Sequence, residues 1–268
     1  MSSIRIDAYA LLERLRARRP VVHHLTNWVT IYDCANVVKV LGASPVMAHA
    51  REEVAQMTGL ADALVLNIGT LTPELVAAME VAAKSANAKG IPVILDTCGA
   101  GATALRDEAC FRLLDAAKIG ILKGNASEIA RLAGEDVVTR GVDAAPVQQD
   151  LLALARRLAR QRQATVVITG ARDLVADGNR HFRIENGHPL MAQVVGTGCM
   201  AASLMGAFAA VEPGDLAMAA AAALVCFGVA AEAAAKRAAG PGTFKEQLMD
   251  ALYNLDQDTL KQHQRVAA

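Results

Sequence analysis

Aromatic side chains are scarce in this 268-residue chain, 3% in all with a single tryptophan, and neither sign of charge prevails: Lys plus Arg and Asp plus Glu number 27 each. With no net charge there is no long-range attraction for nucleic acid or anionic lipid, so small molecules are the expected partners. Cysteine-pair motifs are missing as well. Cys34, Cys98, Cys110, Cys199 and Cys226 include no CxxC. An odd set of cysteines without a secretory leader points to a cytoplasmic, reducing setting rather than a disulfide framework. The stretch Met1–Pro20 mixes Asp7, Glu13 and several arginines with its apolar residues and lacks the apolar core and cleavage site of a leader. No Walker A, HExxH, GxSxG or metal-spaced Cys/His set occurs, which excludes a P-loop kinase. No linker rich in Pro, Gly or Ser and no repeat divides the chain, so one domain over residues 1–268 is expected.

What is present is an apolar content of 53%, mostly Ala, Val and Leu. The longest apolar tract, Leu216–Ala231, lies between Asp215 and Glu232. It is too alanine-rich for the roughly 20 strongly apolar residues of a membrane span and reads as a buried helix. Continuous apolar runs at Ala63–Ile68, Pro92–Leu95, Ile119–Lys123 and Thr165–Thr169 have the pattern of strands covered on both faces. Helical segments at Thr72–Ala88, Ala104–Ala116, Ser127–Ala133 and Asp150–Gln161 alternate with them. That alternation implies an α/β fold with a mainly parallel sheet and helices on both faces. Leu174–Ala176 and His181–Ile184, separated by Asp177-Gly178-Asn179, read as an antiparallel hairpin at the sheet edge, and the chain from Gly198 onward reads as almost entirely helical.

Ligands of parallel sheets bind outside the carboxyl ends of the strands. Here each strand run is followed by glycine and polar residues: Gly69-Thr70, Asp96–Thr103, Gly124–Glu128 and Gly170. Gly196-Thr197-Gly198-Cys199 opens a further helix, where free backbone amides and the helix dipole favour an anion and glycine lets a phosphate come close. The same four residues also read as a plain glycine turn with a threonine cap and a buried cysteine. Asn125 and Glu128 suit either a magnesium site or a helix cap with its first-turn glutamate. Asp96 is either a second carboxylate near a metal or a turn starter, and Lys123 either meets nucleotide phosphates or snorkels to the surface. Thr169 either touches a nucleotide or ends its strand. His23-His24 reads as structural, one ring inward and one outward near a strand end.

Taken together, several stretches resemble the hydroxyethylthiazole kinases, members of the ribokinase superfamily in thiamine biosynthesis. They are HHLTNWVTIYDCANVVKVLGASPVMAHAREEV (His23–Val54), LVLNIGTL (Leu64–Leu71), ILDTCGAGAT (Ile94–Thr103), ILKGNASEI (Ile121–Ile129), VVITGARDLVADG (Val166–Gly178) and VVGTGCMAA (Val194–Ala202), and they span nearly the whole chain. The resemblance implies a ribokinase-like three-layer sandwich. It also implies ATP- and Mg2+-dependent phosphorylation of 4-methyl-5-(2-hydroxyethyl)thiazole, and a homotrimer with active sites between subunits. It places Asn27, Met47, Gly69 and Gly196 around the thiazole, Lys123 and Thr169 on ATP, and Asp96 and Glu128 around the Mg2+. The anion hole would be Gly196, Thr197 and Gly198, with Cys199 facing the substrate hydroxyl where most of the superfamily has a catalytic aspartate. One departure is plain: the family pattern DPVGxGAT has Pro-Val where this chain has Thr97-Cys98. Proline stiffens such a turn, so the rigidity of that loop is in question, and Cys98 reads as a small buried hydrophobe. A hydroxymethylpyrimidine or sugar kinase, or an NAD(P)H-hydrate dehydratase, would share the fold but is expected to carry aspartate at position 199. A thiazole- or nucleotide-binding sensor without catalysis is the reading from a different class.

Overall fold

The computed structural model describes residues 6–135 and 150–268. Nine strands form one sheet: β1 (Val21–Leu25), β2 (Ser44–Val46), β3 (Ala63–Asn67), β4 (Val93–Asp96), β5 (Ile121–Asn125), β6 (Thr165–Thr169), β7 (Asp173–Ala176), β8 (His181–Ile184) and β9 (Val266–Ala267), in the spatial order β2-β1-β3-β4-β5-β6-β7-β8-β9. Pairing is parallel from β2 across to β6. It is antiparallel from β6 to β9. The expected hairpin is β7–β8. The C-terminus is not helical throughout, because β9 closes the edge against β8.

Helices cover both faces. One layer holds α1 (Ala8–Arg18), α2 (Ile31–Leu41) and, from the end of the chain, the helices that follow the last hairpin. The other holds α3 (Val54–Leu60), α4 (Pro73–Lys89), α5 (Ala104–Ala116), α6 (Ala126–Leu132) and α7 (Leu151–Arg162). The C-terminal helices of the first layer are α8 (Thr197–Val211), α9 (Leu216–Ala235), α10 (Pro241–Tyr253) and α11 (Gln257–His263). Alternation along the strands feeds both cores: Leu64 and Leu66 of β3 pack against the α4 side and Val65 against the α8 side. The continuous apolar runs of the sequence thus become strands buried on both faces.

Local chemistry fixes the helix ends. Thr72 caps α4 by accepting the Leu75 amide at 3.1 Å with Pro73 in the first turn, and Asp150 caps α7 in the same way. Among the described residues α9 is the one helix with the length and hydropathy of a membrane span, yet 78% of its apolar window is buried against the rest of the chain. Its neighbour α8 lies directly on β1 and β3. A methyl at Gly206 would come within 2.5 Å of Val65 and 3.1 Å of Val22, so the helix approaches the sheet as closely as glycine permits.

The chain leaves β1 into α2 on one face and β3 into α4 on the other, although the two strands are neighbours. Such a reversal opens a crevice beyond the carboxyl ends of β1 and β3, the place where open α/β sheets take their ligands. Strand limits differ from the sequence reading by one or two residues. β3 ends at Asn67, and β5 runs from Ile121 to Asn125, because the polar ends Asn67, Asp96 and Asn125 still pair within the sheet.

Candidate active site

Helix α8 starts in the crevice. Gly196 precedes it at φ +96°, a backbone state that favours glycine, and the first amide to close within the helix is that of Met200, donating to the Gly196 carbonyl at 2.8 Å. The amides of Thr197, Gly198 and Cys199 therefore have no acceptor inside the helix. The Lys123 ammonium lies at the same point, 3.2 Å from where a side chain at Gly198 would begin. Sequence positions 123 and 198, far apart along the chain, share one electropositive mouth.

A relay of hydrogen-bonded polar groups crosses the crevice beneath it. Asn27, just beyond β1, accepts the backbone N–H and hydroxyl of Thr30 on Oδ1, both at 3.0 Å. Its Nδ2 donates to Asn67 Oδ1 at 2.9 Å and to Cys199 Sγ at 3.4 Å. Asn67 Oδ1 also takes the Gly69 amide at 2.9 Å, while its Nδ2 donates to Asp96 Oδ2 at 2.7 Å and to Cys199 Sγ at 3.3 Å. Asp96 Oδ1 receives Lys123 Nζ at 3.0 Å in a pair with side chains 1% and 6% exposed. Asn67 is the residue that residue-by-residue reading missed. Its signal was there, a lone amide inside the apolar run Leu64-Val65-Leu66-Asn67-Ile68.

The sulfur of Cys199 is thus an acceptor from several sides. A hydrogen bond from the Cys98 thiol is the largest influence; burial and the charge of Asp96 oppose it, and Lys123 and Thr30 assist. The thiol titrates near 7, below the usual cysteine range. Lys123 is held above its ordinary range: burial disfavours its charge, but Asp96, Glu128 and Cys199 outweigh that cost. Burial pushes Asp96 and Glu128 upward against the opposing pull of Lys123.

Glu128 is both a cap and a bridge. With Asn125 it forms a capping box at the start of α6: Asn125 Oδ1 accepts the Glu128 amide at 2.9 Å, and Glu128 Oε2 accepts the Asn125 amide at 2.7 Å. Its Oε1 takes the Gly99 amide at 2.7 Å, tying the β4 loop to β5. A second tie comes from Arg106 on α5, which donates to the carbonyls of Cys98 (2.8 Å), Ile68 (3.2 Å) and Gly69 (2.8 Å). Arg106→Gln is expected to cost about 2 kcal/mol, the worth of charge-assisted hydrogen bonds. It should also raise KM for whatever binds at Gly69 more than it lowers kcat. Denaturant melts and steady-state kinetics check this, with Arg106→Lys recovering part of the loss.

Not every candidate joins the cluster through its side chain. The Thr197 hydroxyl turns away and donates to the Met191 carbonyl at 3.0 Å, so only its amide faces the mouth. Thr169 ends β6 beside Asn125, its hydroxyl 3.4 Å from the Gly124 carbonyl. Met47 follows β2 half-buried, and its carbonyl contacts His49 Nδ1 at 2.9 Å. His23 and His24 are structural as expected, but neither points outward. Both sit inside β1 with no exposure, because the strand is covered on both faces, and burial lowers His24 to about 3.

The Hydroxyethylthiazole kinase family model matches residues 12–258. A hydroxyethylthiazole kinase of Methanosarcina mazei is 51% identical over 95% of this chain and 97% of its own length. This chain belongs to the hydroxyethylthiazole kinase family. The solved structure of a hydroxyethylthiazole kinase from Pyrococcus horikoshii is 42% identical and superposes with a TM-score of 0.90 over 97% of this chain and 98% of that one. At the level of fold alone, a ribokinase-like superfamily protein of Enterococcus faecalis matches with a TM-score of 0.63 at 16% identity, over 94% of this chain and 98% of that one. The fold is therefore the ribokinase-like three-layer sandwich. Against the hydroxyethylthiazole kinase pattern, the Thr97-Cys98 departure has a visible effect. The Thr97 amide and hydroxyl both donate to the Lys123 carbonyl, at 3.0 and 3.2 Å, where proline has no N–H to give. Those bonds hold the turn that proline would have stiffened. Cys98 is half-buried rather than buried, and the neighbouring Cys199, together with burial, holds its thiol well above the usual cysteine range.

Proposed function

We infer that this protein transfers the terminal phosphoryl group of ATP to the hydroxyl of 4-methyl-5-(2-hydroxyethyl)thiazole, in the supply of thiazole phosphate for thiamine. The observation that carries the reading is the meeting of the Cys199 sulfur, the free amides of α8 and the Lys123 ammonium at one crevice, in a chain of this family. In-line phosphoryl transfer asks mainly for positioning and for charge to meet the migrating group. The amides of Thr197, Gly198 and Cys199 supply the anion hole. Lys123 neutralises phosphate charge, with Asp96 holding it in place. Cys199, hydrogen-bonded by Asn67 and Asn27, faces the hydroxyl and takes its proton. The thiazole lies against Asn27, Met47, Gly69 and Gly196, where a pliable thioether suits an aromatic ring. Thr169 contacts the nucleotide from the end of β6.

Asp96 and Glu128 fit Mg2+ as partners through water. Every one of their carboxylate oxygens already accepts a protein donor, which suits an ion that keeps several waters and binds mainly to substrate phosphates. When bound, Mg2+ neutralises the phosphates and helps align them. Residues 1–268 act as one kinase domain in this reading, in the cytoplasm. A homotrimer with sites between subunits is supported by Trp28, Val29, Tyr32 and Val195, apolar side chains 58 to 76% exposed beside Asn27 and Gly196. An assay coupling ADP release to NADH oxidation, with the thiazole alcohol, Mg2+ and ATP, tests the reading. ADP formation should require the alcohol. Tight thiazole binding with no ADP formed would favour the sensor instead.

A further inference from the structure

The polar ends of three neighbouring strands form one row. Asn67 of β3 stands opposite Asp96 of β4, and Asp96 opposite Lys123 of β5. Side chains alternate along a strand, so Asn67 shares the face of Val65, Asp96 that of Ile94 and Lys123 that of Ile121, the face on which α8 lies. Asn67 is 1% exposed. Its oxygen accepts the Gly69 amide and Asn27 Nδ2, both at 2.9 Å, and its nitrogen donates to Asp96 Oδ2 at 2.7 Å and to Cys199 Sγ at 3.3 Å. Two donors and two lone pairs are all that an amide has, and each is used. The group cannot be turned round: reversed, its oxygen would face the Asp96 carboxylate and its nitrogen would face two N–H groups. No other side chain does the same, since aspartate has no N–H, serine has a single donor and glutamine is one methylene too long.

We propose that Asn67 is a positioning residue for the transfer, one amide holding the Cys199 sulfur and the Asp96–Lys123 pair at a fixed spacing so that the sulfur meets the substrate hydroxyl as a proton acceptor. Amide N–H groups can only donate, and Asn67 and Asn27 bring two of them to the sulfur, at 3.3 and 3.4 Å. Such donors favour the charged form of the atom that accepts them. The same Asn67 nitrogen sets the Asp96 carboxylate whose other oxygen holds Lys123 at 3.0 Å. Proton acceptor and phosphate-facing cation are therefore aligned through a single side chain, and alignment of reacting groups is where phosphoryl transfer gains most. The titratable groups around the sulfur are Cys98 after β4, Asp96 on β4, Lys123 on β5 and Cys34 on α2. All four keep their identity when Asn67 is replaced. The effect on turnover rests on the function proposed above; the hold on the sulfur does not.

Steady-state kinetics of Asn67→Asp and Asn67→Ser against pH, with the thiazole alcohol, Mg2+ and ATP, test it. Asn67→Asp keeps one oxygen for Gly69 and Asn27, and its other oxygen, protonated, donates to Asp96 in place of the lost N–H. Only the sulfur goes without its donor. KM for the alcohol should stay within about twofold, while kcat at neutral pH falls about tenfold and the rising limb of kcat/KM moves about one pH unit toward alkali, the worth of one charge-assisted hydrogen bond. Asn67→Ser brings no carboxyl group to the crevice and should move the limb the same way. The ultraviolet absorbance of the thiolate, taken as the difference between each protein and its Cys199→Ser counterpart, should titrate with the same shift. The proposal is overturned if KM rises as much as kcat falls in Asn67→Asp, if the limb and the absorbance stay where they are, or if they move in Asn67→Asp alone. Should Asn67→Asp not fold, the limb and absorbance of Asn67→Ser decide. Should the native protein release no ADP at all, the function proposed above fails, while the absorbance still decides whether Asn67 holds the sulfur.

Discussion

Cys199→Ala is expected to lower kcat by about a hundredfold or more, the typical worth of a positioned general base, whereas Cys199→Asp keeps or raises it. The thiol sits near 7 because the Cys98 thiol donates to it and, against burial and the charge of Asp96, Lys123 and Thr30 add support. Its active form is the deprotonated one, so the rate in the native protein should rise with pH through about 7 and level off above. Aspartate, ordinarily ionised above about pH 4, moves that rising limb toward acid. Cys98→Val removes the leading donor and moves it toward alkali. Profiles of kcat/KM against pH read all three limbs. An inactive Cys199→Asp beside a fully active Cys199→Ser would mean that residue 199 only fills space.

The second large effect belongs to the pair at the floor of the crevice. Asp96→Asn is expected to destabilise the fold by about 3–5 kcal/mol, because it leaves the Lys123 ammonium buried with its main counter-charge removed. Lys123→Met does the same to Asp96, and each single variant loses turnover. The double variant Asp96→Asn with Lys123→Met separates the two consequences. With no ion left to desolvate, stability should return to within about 1 kcal/mol of native, as uncharged replacements of buried ion pairs often allow. Activity should not return, since the charge at the mouth of α8 is gone. Urea melts read the first and ADP release the second. Recovery of activity in the double variant would show that neither residue takes part in transfer.

The strands of the middle of the sheet were legible because each is buried on both faces and carries an unbroken apolar run, as in Leu64-Val65-Leu66 or Thr165–Thr169. The edge elements were not. β2 is three residues containing Pro45, and β9 is two residues at the very end. Such short edge pairs depend on a neighbour already in place rather than on their own composition. Within the site, Cys199, the glycines around it, Asp96, Lys123 and Glu128 stood out as polar or bare positions at strand ends. Asn67 hid inside its strand, and Arg106 looked like an ordinary surface residue of an amphipathic helix. It reaches three carbonyls only because two loops from different strands arrive beside it.

Sequence by itself determined the alternation of buried strands and helices, the bare amides before Cys199 and the family to which the chain belongs, because periodicity, glycine placement and motif order are local properties. Only the tertiary structure decided that Lys123 pairs with Asp96 and that Asn67 hydrogen-bonds both Asp96 and Cys199. Those partners stand 27 to 132 residues apart along the chain. Parallel strands bring them together by aligning their carboxyl ends, a register that long-range packing sets and no short stretch of sequence encodes.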